Sequence, residues 1–310
     1  MRVLITGGAG FIGSTLARRL IATGHQVVVI DNLSTGSKEN VPPAAHFVLA
    51  DLTDPDVLGM IPGQRYDAVV HLAAQSSGAL SQKYPYADMQ TNVGPTLQLS
   101  RWCLERSIPR FLFASSMTVY GHANREPVPE STRCVPISYY AASKFASENY
   151  LRLAANEGLN TVCMRFYNVY GRGQNIGNLD QGMVSIYLAY LLKGVGVPVT
   201  GSLDRYRDFV HVDDAVDSLA RGLTGTRVPF EVFNIGNGMK TTVRELLEKL
   251  VSAMDLPPDY PIVELAGSPS DVFGSVADTS HARTELGWEP RTGLDEGLAD
   301  MVAWARKLTL

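Results

Sequence analysis

A tyrosine and a lysine stand four residues apart in the run Y-A-A-S-K from Tyr140 to Lys144. On a helix this spacing places both side chains on one face, one turn apart. The positive charge of Lys144 favours the phenolate form of the tyrosine, so Tyr140 is a candidate general base near neutral pH. Ordinary surface pairs share this spacing, so the pair gains meaning only from the groups around it.

A serine-rich turn follows an apolar run that is typical of a buried strand. The run from Phe111 to Ala114 leads directly into S-S-M-T-V-Y-G, which ends at Gly121. Ligands of parallel sheets bind at the carboxyl ends of the strands, where this turn would lie. Ser116 can therefore hydrogen-bond the same substrate oxygen that Tyr140 would deprotonate.

Three glycines in the pattern G-x-x-G-x-x-G follow the first apolar run of the chain. Gly7 permits a tight turn, Gly10 lets a pyrophosphate approach the backbone, and Gly13 lets helix and strand pack closely. The next helix presents its free N–H groups and its positive dipole end to the phosphates. The pattern predicts a dinucleotide cofactor.

Two acidic residues follow later strands of the same half. Asp31 ends the second apolar run, about 20 residues after the glycines. A carboxylate there binds the ribose hydroxyls of the adenosine and repels a 2′-phosphate, which favours NAD over NADP. Asp51 follows the third run and can reach the adenine, although an aspartate at a strand end also commonly caps a helix.

Strands and helices alternate through the first half of the chain, with strand-like runs ending at Asp51, His71 and Ser115. This alternation predicts an α/β fold, a Rossmann-like doubly wound parallel sheet. From about Tyr167 glycine and proline punctuation indicates a smaller C-terminal domain. We expect an NAD-binding domain over residues 1–166 and a second domain over residues 167–310, with some segments interleaved.

The composition excludes several classes of protein. The chain has 310 residues, 45% hydrophobic and 19% charged, with a formal net charge of −4. Nucleic-acid binding needs clustered basic residues, and a membrane helix needs roughly 18–20 apolar residues in a row, so neither partner is expected. We expect a cytoplasmic protein. The three cysteines and six histidines show neither a disulfide framework nor metal-site spacing, so no metal is expected.

Six motifs together resemble those of the extended short-chain dehydrogenase/reductase family, in its branch of NAD-dependent nucleotide-sugar epimerases and dehydratases. They are G-G-A-G-F-I-G at Gly7, H-L-A-A-Q at His71, S-S-M-T-V-Y-G at Ser115, Y-A-A-S-K at Tyr140, R-F-Y-N-V-Y-G-R-G-Q at Arg165 and R-D-F-V-H-V-D-D at Arg207. The resemblance covers nearly the whole chain, and it implies that the smaller C-terminal domain, residues 167–310, is a substrate-binding domain for the nucleotide sugar. It implies that Ser116, Tyr140 and Lys144 form the catalytic trio.

The resemblance also assigns binding residues. The cofactor NAD is expected to contact Gly7, Gly10, Phe11, Ile12, Gly13, Asp31, Asn32, Asp51, Leu52, Ala73, Asn92 and Lys144. The substrate, a UDP-sugar, is expected to contact Ser116, Met117, Thr118, Asn168, Arg207, Asp271 and Ser275. A guanidinium such as that of Arg207 can hold diphosphate oxygens bidentately, and the alternative for this side chain is a salt bridge to Asp208 or Asp213.

The resemblance implies oxidation of the sugar at C4, with Tyr140 taking the hydroxyl proton and hydride passing to the nicotinamide. Hydride return to the opposite face of the rotated keto sugar gives 4-epimerisation, whereas loss of the C5 proton and the C6 hydroxyl gives dehydration. Family 4,6-dehydratases that resemble this chain carry an Asp-Glu pair directly before V-Y-G. Met117 and Thr118 stand there instead, and methionine cannot transfer protons, which favours an epimerase over the usual 4,6-dehydratase.

The chain is also similar to the UDP-N-acetylglucosamine 5,6-dehydratase of tunicamycin biosynthesis, an antibiotic pathway, so epimerisation and dehydration both stay open. Ser268 stands where the family often has an arginine three residues before Asp271, which removes one diphosphate contact. Ser275 stands where epimerases restricted to plain hexoses carry a tyrosine. A small side chain leaves room for a 2-acetamido group, so UDP-N-acetylglucosamine is the expected substrate.

Two broader expectations concern the assembly of the protein and its class. The resemblance implies a homodimer, formed by helices at about Asn92 to Arg106 and Tyr140 to Ala155. The apolar spacing of these helices fits a dimer surface and an ordinary core equally well. A non-catalytic NAD-binding regulator is the alternative from another class, and the intact trio argues against it.

Overall fold

The computed structural model describes residues 1–225, 228–267 and 272–308. The strands are β1 (Arg2–Thr6), β2 (Gln26–Asp31), β3 (His46–Leu49), β4 (Ala68–His71), β5 (Arg110–Ser116), β6 (Asn160–Phe166), β7 (Asn168–Tyr170), β8 (Val197–Thr200), β9 (Tyr206–Arg207), β10 (Phe209–His211), β11 (Phe230–Ile235), β12 (Thr241–Thr242) and β13 (Ile262–Leu265). The helices are α1 (Phe11–Ala22), α2 (Val57–Met60), α3 (Gly78–Lys83), α4 (Pro85–Glu105), α5 (Tyr139–Asn156), α6 (Met183–Leu192), α7 (Val212–Gly222), α8 (Val243–Ala253), α9 (Ser280–Leu286) and α10 (Leu294–Arg306).

Seven parallel strands form the central sheet in the order β11-β6-β5-β4-β1-β2-β3. The strand order reverses between β1 and β4, and ligands of doubly wound sheets bind in the crevice at such a point. In the register, Val3 pairs with Val27 on one side and with Ala68 on the other. The predicted Rossmann-like doubly wound parallel sheet is confirmed.

Alternate residues of each central strand face opposite sides of the sheet, and both sides are buried. Val3 and Ile5 belong to a fully buried cluster that includes residues of α1 and α7. Leu4 points to the other side, into a cluster with residues of α4 and α5. This double covering explains why the strands appear in the sequence as nearly continuous apolar runs.

The second half of the chain contributes both to this sheet and to a separate layer. Strand β11 extends the sheet by pairing with β6 from Phe230 to Ile235. Helices α6, α8 and α10 share a third apolar cluster with β8. Helix α8 begins with a capping box between Thr242 and Glu245, where the apolar spacing of the sequence indicates a helix. Parallel pairs β7–β10 and β8–β13 and the antiparallel pair β9–β12 flank this layer.

Candidate active site

The glycine loop between β1 and α1 lies so close to its neighbours that side chains do not fit. Gly7 has a φ of +69°, and a Cβ on it would lie 2.6 Å from the backbone nitrogen of Ala73. A Cβ on Gly13 would lie 2.2 Å from the carbonyl oxygen of Gly7. Helix α1 begins at the residue after Gly10, so its free N–H groups face this loop. The loop is therefore a backbone cradle suited to a diphosphate.

A cleft opens above this cradle at the carboxyl ends of the strands. Ten predicted cofactor residues line it, namely Gly7, Gly10, Phe11, Ile12, Gly13, Asp31, Asn32, Asp51, Leu52 and Ala73. The Asp31 carboxylate accepts hydrogen bonds from the backbone nitrogens of Ala9, at 2.9 Å, and Leu33, at 2.8 Å. Asn32 donates to Asp51 at 2.8 Å. A glycine floor with a fixed carboxylate beside it fits the diphosphate and the adenosine ribose of NAD.

Sequence reasoning missed a second wall of this cleft. The residues are Ser34, Thr35, Gly36 and Asn40 after β2, Thr91 and Pro95 on α4, and Gln174, Asn175, Asn178 and Gln181 after β7. Gln181 donates to the Ser76 hydroxyl at 2.5 Å, which joins the loop after β7 to the loop after β4. Of these residues, Gly36 carries a signal in its residue type, since a glycine can mark a close approach of two backbone segments. A Cβ on it would lie 2.7 Å from the Ala9 backbone.

We expect Gly7→Ala to lower the affinity for NAD by at least about tenfold, which is about 1.4 kcal/mol. The new Cβ would force the cradle away from Ala73, which lines the cleft. Gly24→Ala is the matched control, because Gly24 has a similar φ of +82° and open space around it. It should cost only the left-handed strain of about 1–2 kcal/mol in stability and leave NAD affinity unchanged. Equal NAD affinities of the two variants in a calorimetric titration would contradict this role for Gly7.

The structure brings the three predicted catalytic residues together. Ser116 ends β5, and Tyr140 lies in the first turn of α5, whose N-cap Ser138 accepts from the backbone nitrogen of Ala141 at 3.2 Å. Lys144 lies one turn further, with its Nζ 5.8 Å from the centroid of the Tyr140 ring. The ammonium donates to the Ala114 carbonyl at 2.8 Å, so it is fixed beneath the cleft.

Burial sets the electrostatics of the tyrosine and lysine. Burial raises the pKa of Tyr140 to about 12, with the Ser116 hydroxyl opposing this rise and the Asp88 carboxylate adding to it. Burial lowers the pKa of Lys144 to about 8, which the carboxylates of Asp88 and Glu148 oppose. A cation beside the phenol favours its ionised form, so a positively charged nicotinamide would assist Lys144 in lowering the pKa of Tyr140.

The 3-10 turn after β5 orients Ser116. The backbone nitrogen and the hydroxyl of Thr118 both donate to the Ser116 Oγ, at 3.3 and 3.0 Å. With two donors on its oxygen, Ser116 has its own proton left for the phenol or for a ligand oxygen. Met117 is 7% exposed and packs in an apolar cluster with Val119 and Tyr167.

Arg207 ends β9, and Asn168 begins β7, which pairs with the strand β10 that starts two residues after Arg207. Arg207 is buried and donates to the carbonyls of Tyr206, at 2.8 Å, and Phe273, at 3.2 Å. The Asn168 amide donates to the Asp208 carbonyl at 3.0 Å. Arg207 is thus held at a defined orientation in a wall that also contains Asn168.

The two aspartates weighed as salt-bridge partners of Arg207 have other roles. Asp208 accepts from the backbone nitrogens of Asn237, Gly238 and Ala277, at 2.6, 2.9 and 3.0 Å. Burial raises its pKa to about 6, and these three hydrogen bonds oppose the rise. Asp213 pairs with Arg172 at 2.7 Å.

The remaining predicted residues differ in position. Ser275 is buried near the Tyr167 phenol. Burial raises the pKa of that phenol, and the Ser275 hydroxyl opposes the rise. Asp271 and Ser268 lie outside the described residues. Asn92 does not line the cleft; its amide binds the backbone of Gln75, with both hydrogen bonds at 2.9 Å. It supports the loop that contains Ala73 instead.

The sequence predicts no metal site, no membrane helix and no disulfide framework. Across residues 1–225, 228–267 and 272–308, no group of three or more His, Cys, Asp or Glu side chains could hold a metal ion. In the same ranges no helix is long and apolar enough to cross a membrane. Cys103, Cys134 and Cys163 are free thiols.

A dinucleotide cleft at the switch point, with serine, tyrosine and lysine gathered at the end of β5 next to the cleft residue Ala114, defines a Rossmann-type oxidoreductase centre. The chain belongs to the NAD dependent epimerase/dehydratase family, whose model matches residues 3–236. It is an enzyme of nucleotide-sugar epimerisation or dehydration, and NAD is its cofactor. The predicted family, enzyme class and cofactor are confirmed.

Individual relatives agree over the full length. A UDP-glucose 4-epimerase of Mycolicibacterium smegmatis is 36% identical over 99% of both chains. A dTDP-glucose 4,6-dehydratase of Streptomyces niveus is 32% identical over 99% of this chain and 93% of its own.

Solved structures give the same picture. The Thermotoga maritima UDP-glucose 4-epimerase with UDP-glucose has a TM-score of 0.95 and 35% identity over 100% of both chains. The Thermus thermophilus UDP-glucose 4-epimerase in complex with NAD has a TM-score of 0.92 and 35% identity over 99% of both. The Methanobrevibacter ruminantium UDP-N-acetylglucosamine 4-epimerase in complex with UDP-N-acetylmuramic acid has a TM-score of 0.92 and 29% identity over 99% of this chain and 98% of its own.

Proposed function

We propose that the protein is a 4-epimerase of UDP-N-acetylhexosamines, with UDP-N-acetylglucosamine as its substrate. The choice of epimerisation over dehydration depends on one observation, the packing and hydrogen bonding of Met117 and Thr118. The first is packed among apolar side chains, and the hydroxyl of the second is bonded to Ser116. Neither provides the acid and base that removal of water requires, whereas epimerisation needs only the proton exchange at the C4 oxygen.

Tyr140 is the proton acceptor of this mechanism. Its phenolate takes the proton of the C4 hydroxyl and returns it when the ketone is reduced on the other face. Ser116 donates a hydrogen bond to the same oxygen, and Lys144 stabilises the phenolate by its charge. Bound NAD supplies the oxidation and reduction at the sugar carbon.

Substrate binding is assigned to the second half of the chain. We place NAD mainly on residues 1–166 and the nucleotide sugar mainly on residues 167–310, with Arg207 on the diphosphate and Asn168 beside it. The fixed orientation of the buried Arg207 guanidinium supports this assignment. Two carbonyls accept hydrogen bonds from its Nη1 and hold the guanidinium in one orientation, and a planar guanidinium matches the geometry of phosphate oxygens.

The small side chain of Ser275 supports the choice of an acetamido sugar. It is 3% exposed and lies beside Tyr167, the residue before Asn168. We expect Ser275→Tyr to lower kcat/KM for UDP-N-acetylglucosamine by about 100-fold, because the ring fills the space of the acetamido group, a cost of about 2.7 kcal/mol. Activity with UDP-glucose should be retained, and Ser275→Ala should keep both activities. An equal loss with both sugars for Ser275→Tyr would contradict the assignment.

The experiment that tests the function is incubation of the purified holoenzyme with UDP-N-acetylglucosamine, followed by NMR and mass spectrometry of the product. An unchanged mass with inverted C4 supports the epimerase. Loss of one water would replace it by the 5,6-dehydratase of antibiotic biosynthesis. If the enzyme converts neither UDP-glucose nor UDP-N-acetylglucosamine nor their dTDP counterparts, the assignment is wrong. A non-catalytic NAD-binding regulator is then the remaining hypothesis.

We also propose that the protein is a homodimer and that it acts in the cytoplasm. Helices α4 and α5 pack against each other and leave large apolar side chains in solvent, namely Tyr86, Met89 and Leu97 on α4 and Tyr139, Tyr150 and Leu153 on α5. A second copy would cover this face, since exposed apolar patches commonly mark interfaces. The free thiols favour a reducing compartment.

A further inference from the structure

Asp88 is a charged side chain on α4 that the mechanism above does not use. It is 1% exposed. One carboxylate oxygen accepts from the Ser143 hydroxyl at 2.6 Å, and the other accepts from the amides of Gln75, at 3.0 Å, and Asn92, at 3.1 Å. Among the residues described, three donors and no cation contact this carboxylate, and both of its oxygens accept hydrogen bonds.

These hydrogen bonds join three elements at the active centre. Ser143 precedes Lys144 on α5. Gln75 belongs to the loop after β4, in which Ala73, Ala74 and Ser76 line the cofactor cleft. Asp88 itself lies on α4, which packs along α5. The carboxylate therefore connects the helix of the Tyr140–Lys144 pair to the wall of the cofactor cleft.

We propose that Asp88 is a positioning residue that fixes Lys144 against the cofactor loop and places a buried carboxylate near the Tyr140–Lys144 pair. This inference rests on the proposed function, since it concerns the same reacting pair. Asp88 touches neither member of that pair and acts on them through its charge and through Ser143.

The charged and titratable neighbours of Lys144 determine the sign of the effect. They are Asp88 on α4, Glu148 on α5, Tyr140 on α5 and His71 on β4. Burial lowers the pKa of His71 to about 3, so its imidazole is neutral, and the nearby Lys144 charge adds to that decrease. Glu148 is held by Arg165 at 2.6 Å, which offsets part of its charge.

Asp88 acts on both reacting groups in the same direction. Its carboxylate raises the pKa of Lys144 and that of Tyr140. Loss of its charge therefore lowers both pKa values. Because the two groups interact, the two limbs of the activity profile belong to the pair rather than to either residue, and both should move to lower pH.

The test is the pH profile of kcat for the Asp88→Asn holoenzyme. We expect both limbs to move down by about one pH unit. Ser143→Ala is the matched control, because it removes the hydrogen bond and keeps the charge. It should lower kcat without moving the limbs. If both limbs of the Asp88→Asn profile stay at the pH of the unaltered protein, whatever the value of kcat, Asp88 has only a structural role and the proposal is wrong.

A second measurement needs no substrate. Tyrosinate absorbance of the NAD-bound protein, taken as a difference from Tyr140→Phe, reports the ionisation of Tyr140 alone. Asp88→Asn should lower its midpoint, and an unchanged midpoint would overturn the inference even if no sugar were turned over. Failure of the proposed function would instead appear as no product from the unaltered protein. If Asp88→Asn does not fold, Asp88→Ser removes the same charge in a smaller volume.

Discussion

Tyr140→Phe is expected to lower turnover of the nucleotide sugar by about 10²–10⁴-fold, the usual contribution of a positioned general base. The substitution removes the phenol oxygen beside Ser116 and leaves the ring that packs next to Lys144. Binding of NAD should be unchanged, because the cradle and Asp31 lie elsewhere in the cleft. The measurement is initial rate with UDP-N-acetylglucosamine, together with the NAD content of the purified variant.

The adjacent tyrosine offers a matched control. Tyr139 is 50% exposed in the single chain and starts the same helix on the face proposed for the dimer, so Tyr139→Phe makes the same chemical change away from the reacting pair. It should retain the activity of the unaltered protein. Full activity of Tyr140→Phe would mean that another group takes the proton, and an equal loss in both variants would point to damage of α5.

Glu148→Gln is expected to lower the free energy of unfolding by about 3–5 kcal/mol. Glu148 and Arg165 form an ion pair at 2.6 Å whose side chains are only 2% and 4% exposed. A second hydrogen bond joins the Arg165 Nε to the same carboxylate at 2.9 Å, and the Ser115 hydroxyl donates to it at 2.5 Å. Removal of the negative charge leaves a buried guanidinium without compensation.

An exposed ion pair in the same chain calibrates this effect. Glu157 pairs with Arg101 at 2.5 Å, with side chains 53% and 50% exposed. Glu157→Gln should change stability by about 0–1 kcal/mol, because water already screens the pair. Urea unfolding of both variants measures the difference. If both variants lose the same small free energy of unfolding, the buried ion pair contributes little beyond the packing of its side chains.

Much of the fold is predictable from the sequence because its signals are local. The strands around Val3 and Val28 are continuous apolar runs, and the glycines at positions 7, 10 and 13 stand at a spacing that only a close backbone approach explains. Tyr140 and Lys144 belong to one helix, so their proximity follows from helical geometry. Ser116 follows from the rule that ligands bind at the carboxyl ends of parallel strands.

Features that depend on contacts between distant parts of the chain could not be predicted from the sequence. The pairing of β11 with β6 has no local signal, since any apolar run could extend the sheet. Gln174 and Gln181 lie in a loop without periodicity, so their position over the cleft is set by tertiary contacts. Asp88 looks like any polar residue of an amphipathic helix, and only the structure reveals that it is buried. Asn92 was expected in the cofactor channel, whereas its amide supports the Gln75 backbone behind it.

The origin of the outermost strand has a consequence for biosynthesis. Residues 230–235 complete the sheet, so a nascent chain cannot finish its nucleotide-binding half until translation has passed Ile235. Until then the edge of β6 carries unpaired N–H and C=O groups, which are a template for wrong association. The two halves therefore mature together, and a gene fragment that ends near residue 166 would encode an aggregation-prone product rather than an independent module.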